Sequence, residues 1–228
     1  MGIEPKNKRV AVFFDCQNIF HAANGMFGYT YPDQDPFLLA NSICSQKEGW
    51  KLEQLFFYTG MADHGGTPNW MAFWEEKLGR IGRNPLGKIV TRKARLRKKV
   101  AFNAEWKMLI SETGLPVKVH VIEERGIDEK IVVDVLGTMR KQNVLFPSGE
   151  KGMFDVAIIF SDDRIFTEVA GEIREISREQ NRWIRTVIAI VPRPNIYFID
   201  KKFKGTFELF NLNADILGKC CDNPVIRK

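Results

Sequence analysis

Two of the most apolar runs in this 228-residue chain end in acids: VAVFFD closes on Asp15, and VAIIFSDD closes on Asp162 and Asp163. A third acidic group, Asp128 and Glu129, opens a run of helical period, and Asp134 follows within it. Carboxylates crowded into one place repel unless a cation neutralises them or some of them bind a proton. Magnesium and manganese are the natural partners, because they take hard oxygen ligands and bridge readily to phosphates. A cation so held can polarise a phosphate, generate hydroxide from bound water and stabilise a leaving oxygen. Phosphodiester hydrolysis needs no more than that, and no protein nucleophile.

Each of these residues also has a local explanation. Asp15, Asp128 and Asp163 stand where a helix is about to start, and Asp is a common N-cap. Asp134 shares a helical face with Lys130, Thr138 and Lys141, so a solvated charged face accounts for it. Residue types and period alone leave both readings open.

For the acids to meet, the runs that carry them must be neighbouring strands. Residues 9–15 and 154–163 are short, nearly continuous apolar runs, the pattern of strands buried on both faces of a parallel sheet. Residues 51–60 and 183–191 read as further strands. Helices are expected at 18–24, at 36–45 with Pro36 in the first turn, at 68–78 ending near Gly79, and at 128–141. A periodic helix with Phe166, Val169, Ile173 and Ile176 on its apolar side follows Asp163. Strands alternating with helices imply a central, mostly parallel sheet of about five strands between two helical layers. In such a sheet ligands bind beyond the carboxyl ends of the strands, where the strand order reverses, so Asp15 and Asp163 would face one crevice.

The chain carries a net charge of +6. Between positions 77 and 104 there are ten basic residues and no acidic one. Taking those ten from the 34 basic residues leaves 24 against 28 acidic, so the positive charge is local. Residues 88–100 alternate in part, with Lys93, Arg95, Arg97 and Lys99 on one side and Ala94, Leu96 and Val100 on the other. A strand with a charged side fits, and residues 117–122 can pair with it, making a basic insertion near 83–120. Lys88, Arg92, Lys93, Arg95, Arg97, Lys98 and Lys99 could then track a phosphate backbone with salt-sensitive, sequence-independent affinity. Trp70, Trp74 and Trp106 could stack bases if exposed, although the i, i+4 spacing of Trp70 and Trp74 beside Met71 and Phe73 favours the core for those two.

Three segments resemble the motifs of the NYN family within the PIN-like nucleases, in its LabA-like bacterial branch. VFFDCQNIF (residues 12–20) resembles the first, a strand ending in Asp with Asn three residues on. ERGIDEKIVVDVL (124–136) is similar to the second, Gly-hydrophobic-Asp followed six residues later by Asp. DVAIIFSDDRIF (155–166) resembles the third, a strand leading into Ser-x-Asp-x-x-Phe, and FELFNLNADIL (207–217) is similar to the closing segment. The resemblance spans most of the chain. It implies a PIN-like three-layer α/β/α sandwich and metal-dependent ribonuclease activity. Residue by residue it assigns magnesium or manganese to Asp15, Asp128, Asp134 and Asp163, substrate or motif orientation to Asn18, and support of the Asp163 turn to Ser161. Relatives usually carry another Asp two residues after the one matching Asp163. Here that position is Ile165, which raises the alternative of a catalytically weak or inactive RNA-binding module; Asp162, where Gly is usual, could stand in for the missing acid.

Other classes find little support. GRNPLGK (82–88) matches most of a phosphate-binding loop, but Ile89 follows where Ser or Thr must bind magnesium, and the flanking elements are in reverse order. No G-x-G-x-x-G follows a strand, and no G-x-S-x-G elbow occurs. An aspartyl-nucleophile phosphatase would want an acid at Gln17. The three histidines lack zinc-ligand spacing, and the four cysteines form no C-x-x-C pair. The expectation is one cytoplasmic domain without a membrane span or secretory leader.

Overall fold

The computed structural model describes residues 2–29, 33–62, 68–100, 108–111, 113, 115–123, 126–192 and 205–221. Its centre is β1 (Lys8–Asp15), whose successive side chains point to opposite faces. Val10, Val12 and Phe14 enter one core and Ala11 and Phe13 the other, all within 2% of full burial. A strand apolar at every position belongs inside a sheet covered on both faces.

On one side of β1 lie β2 (Trp50–Ala62), β3 (Gly87–Val100) and β4 (Lys118–Glu123); on the other lie β7 (Val156–Phe160), β8 (Arg185–Ile190) and β9 (Glu208–Asn211). The order is β4-β3-β2-β1-β7-β8-β9, with every pairing parallel except that of β3 with β4. Cross-strand aromatic pairs help to set the register: Phe13 and Phe56 stack with ring centroids 5.0 Å apart. A separate short ribbon joins β5 (Val144–Leu145) to β6 (Lys151–Gly152).

One face of the sheet is covered by α1 (Cys16–Phe27), α2 (Pro36–Cys44), α3 (Pro68–Arg83) and α6 (Ala214–Lys219). The other is covered by α4 (Ile127–Arg140) and α5 (Ile165–Glu179). The expected apolar stripe of α5 is in place, since Phe166, Val169, Ile173 and Ile176 are all buried. The molecule is thus the three-layer α/β/α sandwich, with six parallel strands rather than about five. The additional parallel strand is β9, a half-buried four-residue edge strand too short to carry a readable period.

Helix α3 does not stop near Gly79 but runs to Arg83. Trp74 and Ile81, buried on one face seven residues apart, pin the helix on both sides of that glycine, so packing overrides the local preference. Trp74 is core, as its spacing indicates; the side chain of Trp70 and all of Trp106 lie outside the described residues. The expected pairing of residues 117–122 with this strand is present, and it is antiparallel. Residues 87–94 of β3 run parallel to β2, and residues 95–100 pair with β4. Among the described residues, no helix is long and apolar enough to cross a membrane.

Candidate active site

Strand order reverses between β1 and β7. The chain steps outward from β1 through β2 and β3, then returns to the opposite side of β1 at β7. Asp15 ends β1, and Ser161, Asp162 and Asp163 follow β7 directly, so the two acid-bearing ends are adjacent. A cavity of about 520 Å³ opens there, within the usual size range of small-ligand sites. It is lined by Asp15, Gln17, Asn18, Asp128, Glu129 and Asp163, with Gly126 and Ile127 completing it.

Asp15 is only 3% exposed. It caps α1, one oxygen accepting the Asn18 amide at 3.1 Å, while the other accepts the Ser161 hydroxyl at 3.2 Å. Capping and site membership are therefore compatible: the cap aims the carboxyl group, and the second oxygen faces the adjoining strand end. Ser161, fully buried, also accepts the Asp163 amide at 3.3 Å. One hydroxyl thus ties the β1 acid to the turn after β7. Asp163 accepts the Ile165 amide at 3.0 Å, which starts α5 and leaves the carboxyl group at the cavity wall.

Asp128 arrives from a stretch of sequence between the two strands. Helix α4 begins at Gly126, whose φ of +78° is a left-handed conformation that strains any side chain. No side chain caps the helix. The N-cap reading of Asp128 is therefore incorrect; it sits with Glu129 in the first turn, facing the cavity. Its pKa is raised, chiefly by burial and then by the charges of Asp163 and Glu129, with a hydrogen bond to Asp15 acting the other way. Acids from three separate stretches meet closely enough to perturb one another.

Two of the sequence assignments are corrected. Asp134 is not in the cavity: it accepts the Tyr58 hydroxyl at 2.9 Å and pairs with Lys130. Six residues along a helix amount to roughly 9 Å of rise and an azimuth about 120° away from Asp128, too far for one ion to reach both. Tyr58 is accordingly held neutral, first by burial and then by the Asp134 charge. Asp162, considered as a replacement for the acid absent at Ile165, does not line the cavity. Asn18 clamps it, donating from Nδ2 to its carboxylate at 2.8 Å and accepting its backbone N–H at 2.9 Å. Asn18 thus acts as a brace between α1 and the β7–α5 turn. Ile165 is exposed at the start of α5.

Gln17 is a cavity residue that the sequence motifs do not single out; its place in the first turn after Asp15, beside Asn18, is the signal that could have found it. Among the described residues, no three His, Cys, Asp or Glu side chains stand where they could hold a metal ion together. The four cysteines are free thiols, three of them buried, and burial pushes Cys44 up to about 11.

The basic residues fall at different levels. Lys88 is level with Phe56 and covers its ring, 5.4 Å from the centroid. Asp15 pairs with Tyr58 and Tyr58 with Val90, so β3 passes the level of the cavity at Val90. Arg92 is exposed just beyond that level. Lys93, Arg95, Arg97, Lys98 and Lys99 lie farther along the same strand, with side chains outside the described residues.

No protein-family profile matches the chain, and no curated protein is significantly similar to it. Among solved structures it is similar to a protein of unknown function from Vibrio parahaemolyticus, with a TM-score of 0.51 and 12% identity over 93% of this chain and 98% of that one. Likeness at that identity concerns the fold alone.

Proposed function

We propose that this chain is a cytoplasmic, metal-dependent ribonuclease of the NYN, PIN-like kind, hydrolysing RNA phosphodiester bonds with magnesium or manganese. One observation carries the reading. Asp15, Asp128 and Asp163 line a single cavity at the carboxyl end of a parallel sheet, beside the point of strand reversal.

The donor set fits one style of metal binding and not another. A closed cage of three carboxylates is absent among the described residues. Magnesium, however, commonly keeps several waters and takes only one or two carboxylates, substrate phosphate oxygens filling the remaining positions. Asp128 and Asp163, half-buried at the cavity wall, suit that arrangement, with Asp15 behind them. The cation would supply charge to the phosphate and acidity to a bound water. The protein's own part is to aim Asp15 through Ser161 and the α1 cap and to brace the β7–α5 turn through Asn18. Glu129 and Gln17 line the exposed side, where a substrate would enter.

Purified protein should cut a mixed-sequence RNA with magnesium or manganese and stop when EDTA is added. Asp15→Asn keeps a capping side chain, so it should retain the fold and RNA affinity while cleavage falls about 100-fold or more. Cleavage that persists in EDTA, or that Asp15→Asn leaves intact, would overturn the reading. Ile165 favours a second reading, a binding module without the reaction; it predicts salt-dependent RNA affinity and no cleavage with either metal.

A further inference from the structure

The ribbon beyond β3 combines two features that seldom share a surface. Its stem is strand 92–100, with Arg92, Lys93, Arg95, Arg97, Lys98 and Lys99 in sequence. Its far end is apolar. β4 begins at Lys118 opposite Val100, and just before it Val117 donates its N–H to the Leu109 carbonyl at 2.8 Å, while Ile110 bridges to Pro116. The turn so formed exposes Met108, Leu109, Ile110 and Leu115 by 47%, 41%, 52% and 66%. A cluster of bare apolar side chains at a tip marks an interaction surface more often than chance. The six cations of the stem select a polyanion as the partner.

The register supplies the remaining link. β3 passes the cavity level at Val90 and runs on to Val100, which at about 3.3 Å per residue carries the ribbon roughly 30 Å past the carboxylates, at the same end of the sheet. A polyanion lying along the stem therefore has one end near Asp15 and the other at the tip.

We propose that this ribbon is a nucleic-acid arm: the stem follows the phosphates of a single strand reaching into the cavity, and the tip formed by Met108, Leu109, Ile110 and Leu115 presses against its unstacked bases. Apolar side chains of these types wedge between base steps in other nucleic-acid complexes, and base faces accept such contact without regard to sequence. This rests on the ribonuclease reading for the identity of the cavity's ligand and adds a requirement of length. At about 3.4 Å per stacked nucleotide and roughly twice that when the strand is extended, 30 Å corresponds to about five to nine nucleotides, so a trinucleotide cannot occupy cavity and tip together.

The test is fluorescence anisotropy in calcium, a cation that takes oxygen ligands as magnesium does, with labelled single-stranded RNAs of 3 and 20 nucleotides. The wild-type protein should bind the 20-mer at least tenfold more tightly than the 3-mer. The double variant Ile110→Ser/Leu115→Ser should bind the 20-mer at least fivefold more weakly, with an unchanged salt slope because no cation is removed. A photoreactive 20-mer should crosslink to the peptide containing residues 108–116 of the wild-type protein, a readout independent of whether the variant folds. Equal 20-mer affinity of variant and wild type, or crosslinks that avoid the tip, would overturn the arm. So would an effect of the variant only on binding to anionic phospholipid vesicles, or only on self-association. Tip-dependent binding by a protein that never cleaves RNA would support the arm and remove the ribonuclease reading; wild-type protein that binds neither RNA would remove both.

Discussion

The Ser161 hydroxyl has two partners, the Asp15 carboxylate to which it donates and the Asp163 amide that it accepts, both inside a fully buried environment. Replacing Ser161 by Ala strands a buried carboxylate oxygen and a backbone amide, which should cost about 1–3 kcal/mol; thermal melting with and without metal measures it. Asp134 makes the contrasting case. Its bonds go to Tyr58 and Lys130, so Asp134→Asn should lower stability by about 1 kcal/mol and leave RNA cleavage within a few-fold of wild type. Loss of cleavage with unchanged stability would return Asp134 to the site. Asp128 carries the pH dependence. Its pKa is raised in the fold by burial and neighbouring acids. A raised carboxyl pKa contributes stability that is complete below the ordinary value of 3.8 and lost as pH rises through the folded value. At pH 7 in EDTA the ionised group therefore opposes folding, and Asp128→Asn should melt higher than wild type, the difference shrinking as pH falls towards 3.8. A variant that melts lower at pH 7 would mean that the residue is structural.

At the scale of elements, α4 is aimed by its first residue pair. Gly126 takes a left-handed φ of +78°, and the turn places Asp128 in the first helical turn against the cavity. Gly126→Val should cost about 1–2 kcal/mol through that backbone conformation alone and should depress cleavage further by misplacing Asp128; comparing melting temperature with cleavage rate separates the two effects. The elements that carry the site are legible from sequence because each announces itself locally. Continuous apolar runs declare β1 and β7, and the acids that end them fall at the carboxyl edge by the geometry of parallel sheets. The six-residue spacing in ERGIDEKIVVDVL matches a motif, yet helical geometry sends Asp134 to Tyr58, a partner from another strand that no local pattern displays. Gln17 and the Asn18–Asp162 clamp are hidden for the same reason, since they depend on which strand ends become neighbours. β9 escapes because a half-buried four-residue edge strand has too few residues to show a period.

Across the whole molecule, charge is segregated: acids gather at the strand reversal, and cations run outward along β3 at the same end of the sheet. A phosphate chain is attracted by the ribbon and repelled by the cavity unless a cation is present. Neutralising Arg92, Lys93, Arg95 and Arg97 to Gln should weaken RNA binding and flatten the plot of log affinity against log salt by about 0.7 for each phosphate no longer neutralised; an unchanged slope would take the ribbon out of binding. In the proposed ribonuclease reading the segregation makes metal the pivot, because an ion would let the acidic cavity accept an anionic substrate. Anomalous scattering from a crystal soaked in manganese tests this most directly. An ion is expected roughly 2.1 Å from carboxylate oxygens of Asp128 and Asp163, with water completing its shell. Manganese bound elsewhere, with the cavity between Asp15, Asp128 and Asp163 free of an ion, would contradict it.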